Sequence, residues 1–167
     1  MLWNACLEGK EGYLRMVNAL IDRGADVNAP TAKPEHEKAM PLIAASANGR
    51  VELMRVLLAA GARVHLGSAS GYTALIAASF HGQVVAIRVL LAAGAQINQV
   101  DAHGYSALIS ASGKGFVQAV KVLLAAGADP RISTPDGVTA LLFAQANKHP
   151  AIVSLLQVKL AELAGSA

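Results

Sequence analysis

The sequence predicts an all-α solenoid of helix-turn-helix units with short hairpin-like loops. Three observations carry that prediction. A short apolar motif recurs every 33 residues, a second marker recurs nearly in step with it, and each unit has room for two helices and a turn. The first motif is MPL at Met40, TAL at Thr73, SAL at Ser106 and TAL at Thr139. The second is GADVN at Gly24, GARVH at Gly61, GAQIN at Gly94 and GADPR at Gly127, at intervals of 37, 33 and 33. The four extra residues of the first interval fall in APTAKPEHEKA, residues 29 to 39, where Pro30 and Pro34 forbid regular helix. That segment is expected to be a lengthened loop, more mobile than its counterparts.

Within one unit the punctuation assigns the elements. The hydroxyl of Thr73 can cap the run ALIAAS, His81 and Gly82 end it, and VVAIRVLLAA forms a second helix up to Gly94. Gly61, Gly94 and Gly127 each follow a Leu-Leu-Ala-Ala step, where a left-handed residue closes a helix without steric cost. The stretch NQVDAHG, residues 98 to 104, is too short for another helix and reads as an extended turn in which Asp101 bonds nearby amides. In AIVSLLQVKLAELAGSA, residues Ile152, Val153, Leu155, Leu156, Leu160 and Leu163 recur at helical spacing. They predict a longer final helix, which either caps the array with one apolar face or offers that face to more chain or a partner.

Composition narrows the packing. With 54% hydrophobic but only 4% aromatic residues, Ala, Leu and Val must build the interior, which favours close helix contacts. The mean hydropathy of +0.43 does not mark a membrane span, because no run approaches the roughly 18 consecutive apolar residues that one needs. A net charge of +3 from scattered Lys and Arg gives no nucleic-acid footprint. The single cysteine, Cys6 in LWNACL, cannot form an internal disulfide and reads as a small buried side chain. The opening MLWNACLEGKEG lacks a basic segment followed by an apolar one, so no export signal is read and a cytoplasmic, monomeric protein is expected.

The 33-residue period, T-A-L, the Ala-Ala step, Gly82 between helices and G-A-D/Q-x-N after them together resemble the ankyrin repeat. The resemblance spans the chain as a single domain, residues 1–167, with repeats at about 1–34, 35–67, 68–100, 101–133 and 134–167. In the degenerate first copy, Leu2, Ala5 and Gly9 match Leu42, Ala45 and Gly49. The family usually has a histidine after T-P-L that ties neighbouring loops by hydrogen bonds. Here those positions hold Ile43, Ile76, Ile109 and Leu142, with Trp3 in the first copy, so apolar packing is expected to replace that network. Pro appears only as Pro41; the equivalents are Ala74, Ala107 and Ala140, which are good helix formers.

Catalytic and metal chemistry have little to rest on. The five histidines show no ligand spacing; His81 and His103, which adjacent repeats bring to one side, are the basis of the alternative reading as a metal-dependent or enzymatic protein. SGKG at residues 112 to 115 fails the phosphate-loop pattern, having Leu108 in place of the first glycine and Gly115 in place of a hydroxyl residue, and reads as an interhelix turn. Asp26 and Asp129 belong to different repeats and form no acid and base pair. No cofactor is expected. The resemblance instead implies a concave groove and loop tips that bind another protein. The residues there are Tyr72, Phe80, His81, His103, Tyr105, Lys114, Asp136 and Val138, with Ala47 and Asn48 in the second unit. Tyr72, Phe80, Tyr105 and His103 are expected as the central contacts, with both tyrosines exposed.

Overall fold

A computed structural model of the chain describes residues 13–30 and 40–165. Cys6, Trp3, the first-copy residues Leu2, Ala5 and Gly9, His36 and most of the lengthened loop lie outside the described residues. Among the described residues the chain is helical: α1 (Tyr13–Asp22), α2 (Pro41–Ala47), α3 (Val51–Ala59), α4 (Ala74–Phe80), α5 (Val84–Ala92), α6 (Ala107–Gly113), α7 (Val117–Ala125), α8 (Ala140–Ala146) and α9 (Pro150–Gly165). The inner helices α2, α4, α6 and α8 stack side by side, and the outer helices α3, α5, α7 and α9 form a second row behind them.

Local chemistry starts each inner helix. Thr73, Ser106 and Thr139 are extended residues whose hydroxyls accept the amides of Ile76, Ile109 and Leu142 at 3.2 to 3.3 Å, satisfying one of the orphan donors at each helix start. Met40 supplies no side-chain cap; Pro41 follows it in the first turn of α2, where a missing N–H costs nothing. The outer helices stop as the sequence predicts, at Gly61, Gly94 and Gly127 with φ of 88°, 86° and 91°. In the turn between paired helices the fifth unit departs from the pattern: Lys148 stands at φ 60°, a left-handed conformation that disfavours a side chain.

The inner helices α4 and α6 are flanked by an inner helix on both sides, so almost their whole surface disappears. Leu75, Ile76, Ala77 and Ala78 are buried in α4, and Leu108, Ile109 and Ala111 are buried in α6. The outer helices bury one stripe each: Leu53, Met54 and Leu57; Ala86, Ile87 and Leu90; Ala119, Val120 and Leu123; Ile152 and Leu156. Apolar packing does occupy the expected positions at Ile43, Ile76 and Ile109, but Leu142 is 51% exposed. The reason is positional, since α8 has an inner-helix neighbour, α6, on one side only among the described residues. The final helix is long, 16 residues against nine in each of α3, α5 and α7.

The loops between units are hairpin-like. Gly67 bridges Thr73, Val100 bridges Ser106, and Ser133 bridges Thr139 in antiparallel pairs. A side-chain oxygen ties each loop: Ser68 Oγ accepts the Tyr72 amide at 3.3 Å, Asp101 Oδ1 accepts those of His103 and Tyr105 at 2.9 Å, and Thr134 Oγ1 accepts that of Val138 at 3.0 Å. Successive units are also stitched together. Asn28 and Asn98 accept the amides of Arg63 and Asp129 in the next unit, and Ala102 donates its amide to the Ser70 carbonyl at 2.8 Å.

Candidate partner-binding face

The inner-helix face and its loops hold the residues that break the repeat. At one inner-helix position the units carry Ala47, Phe80, Gly113 and Ala146, and at another Ala44, Ala77, Ser110 and Phe143. The two deviations are complementary. Any Cβ on Gly113 would collide with the ring of Phe143, so the missing side chain in the fourth unit makes room for the large one from the fifth. Phe143 thereby reaches Tyr105, with ring centroids 6.0 Å apart and planes tilted by 50°.

A pocket of about 230 Å³ results, walled by the rings of Tyr72, Phe80, Tyr105 and Phe143. Asp101, Ser110 and Lys114 complete its lining. The Lys114 ammonium lies 4.3 Å from the centre of the Phe80 ring, a cation–π contact. Burial, reinforced by the negative charge of Asp101, pushes the Tyr72 phenol up to about 12.

Four of the predicted contact residues, Tyr72, Phe80, Tyr105 and Lys114, therefore meet in one pocket. His81 is exposed beside it and packs edge-on against Phe80, with centroids 5.2 Å apart and planes at 74°. His103 is exposed at the loop tip; Asp136 and Val138 belong to the next loop and do not line the pocket. Ala47 is half-buried, and Asn48 donates its side-chain amide to the Ala44 carbonyl. One expectation needs correction: Tyr72 and Tyr105 are half-buried and pack on the core rather than standing exposed. Each phenol packs its apolar body against the core side chains.

Sequence reasoning missed Asp101, Ser110 and Phe143 as parts of this site. Phe143 was visible as the one bulky residue in a position otherwise occupied by Ala44, Ala77 and Ser110.

SGKG forms the end of α6 and the turn after it, as read from the sequence. Asp129 binds Arg131 through two contacts of 2.9 Å, and those hydrogen bonds hold its carboxyl below the usual carboxylate range. Among the described residues no group of three or more His, Cys, Asp or Glu is placed to hold a metal ion, and no helix is long and apolar enough to cross a membrane.

Among known proteins, a search of curated sequences returned no match. The family model described as ankyrin repeats in three copies matches residues 2–101 and again residues 86–163. With the 33-residue period, the paired helices and the hairpin loops already in place, that match settles the family: the chain belongs to the ankyrin-repeat proteins.

Proposed function

We propose that this chain is a non-catalytic, monomeric module that binds a partner protein across its inner-helix face and loop tips, with Phe80, Tyr72, Tyr105 and His103 at the centre. Ankyrin repeats are generally protein-interaction modules and generally non-catalytic. The observation that carries the finer reading is the aromatic pocket itself. In a chain with only 4% aromatic residues, four rings from three successive units converge on one hollow. A preformed pocket with aromatic walls and a few polar groups is what an interface anchor fills. His81, Asp136 and Val138 extend the contact beyond the pocket, and Lys114 takes part from its lining.

The experiment uses the exposed members, because the half-buried tyrosines also hold the fold. Once a partner has been captured and identified, the double variant Phe80→Ala and His103→Ala should keep its helical circular dichroism and bind about tenfold or more weakly, as loss of a central aromatic contact does. Unchanged affinity in the folded double variant would refute the reading.

A further inference from the structure

The pocket's chemistry selects a charge type. Aromatic rings carry negative faces and positive edges, so a hollow lined by several rings offers a cation an attractive surface that needs no counter-charge. Here four rings surround the space, and a carboxylate, that of Asp101, stands in the wall. Two loop amides fix that carboxylate by bonding to one of its oxygens. The protein's own ammonium marks the preference: Lys114, exposed on the turn after α6, lays its Nζ over the Phe80 ring.

We infer that the pocket between α4, α6 and α8 binds an alkylammonium group, the side chain of a lysine on the partner protein, and that Lys114 is the tethered competitor it displaces. This rests on the reading of the inner-helix face as the partner-binding face. A volume of about 230 Å³ accommodates a four-carbon stem and its ammonium. An incoming carboxylate or phosphate would meet Asp101 in a lining of four aromatic side chains, so charge complementarity favours the cation.

The test uses choline as the probe and 3,3-dimethyl-1-butanol as its neutral isostere, each titrated into the intact protein and followed by NMR on the aromatic resonances. Choline should shift Tyr72, Phe80, Tyr105 and Phe143 saturably, and the neutral isostere should bind about tenfold or more weakly, the scale of a desolvated cation–π contact. Asp101→Asn keeps an oxygen for the His103 and Tyr105 amides while removing the charge, and should weaken choline severalfold. Phe80→Leu should also weaken it, whereas Lys114→Gln should tighten it by removing the competitor. No saturable shift, equal binding of the two probes, or an Asp101→Asn and Phe80→Leu pair that binds choline as the parent does would overturn the inference. If the partner protects the inner-helix face yet choline does not compete with it, the ammonium anchor falls while the groove reading stands. A partner that docks elsewhere on a choline-binding protein removes the groove reading and leaves the ammonium site.

Discussion

The two long faces of this solenoid are built from the same repeat and obey it to different degrees. On the outer row, apart from Glu52, Val85 and Gln118 and the Leu53, Ala86 and Ala119 position, most equivalent positions carry similar residues: Arg55, Arg88 and Lys121 recur at 33-residue spacing on exposed sites, and each nine-residue helix ends in Leu-Leu-Ala. Its hollows are open troughs, such as the one bounded by Leu91, Gln118, Lys121 and Val122. On the inner face the period fails at single positions, where Ala47, Phe80 and Gly113 alternate large and small and Phe143 stands where the other units have Ala or Ser. A repeating face is explained by the need to stack, because each unit can bury its apolar stripe only against its neighbours. The failures of the period on the other face have no such need behind them, and they converge on one pocket.

The sharpest way to break this comparison is to cut one side chain from each face. Phe143→Ala removes a half-buried ring that fills the space above Gly113, and should cost about 2 kcal/mol, below the value for a fully buried Phe. Val158→Ala on the outer side removes part of a side chain that is 61% exposed and should cost less than about 0.5 kcal/mol. Urea denaturation of both variants checks the pair, and equal losses would show that the inner-face deviation is no more than surface variation.

The next effect is a dependence on pH that belongs to the inner face. Folding raises the Tyr72 pKa from 10.0 to about 12, so it favours the protonated phenol; this contribution is fully present below pH 10 and is lost as pH rises through about 12. The parent's melting temperature should therefore fall more steeply between those values than that of Tyr72→Phe, which has no proton to lose. Parallel slopes would mean that Tyr72 is better hydrated than its position implies.

A smaller effect comes from the turn of the fifth unit. Lys148→Gly relieves a left-handed backbone at φ 60° and should raise stability by up to about 1 kcal/mol in thermal denaturation, whereas Gly115→Ala at the equivalent turn, φ 80° and against His149, should lower it.

Much of the fold was legible because period and punctuation are one-dimensional signals. Thr73, Ser106 and Thr139 announce the inner helices, and Gly61, Gly94 and Gly127 close the outer ones, each through a local rule that needs no tertiary knowledge. Ile76 and Leu142 show where the reading ran out. They occupy the same repeat position, yet one is 1% exposed and the other 51%, because neighbours rather than side-chain chemistry decide burial in an array. The pocket was half legible for the same reason. Tyr72, Phe80, Tyr105 and Lys114 stand out as unusual within their own units, but Phe143 joins them only through the bare Gly113 of the unit before, and Asp101 looked like a turn residue alone.

The contrast between the faces is tested most directly by hydroxyl-radical footprinting of the protein with and without its captured partner, which reads side-chain protection on both faces in one measurement. The account predicts that the partner shields Tyr72, Phe80, Tyr105 and Phe143 while Leu91, Leu124 and Val158 on the outer row stay as reactive as in the free protein. Protection of the outer-row residues with the pocket aromatics unchanged would contradict it.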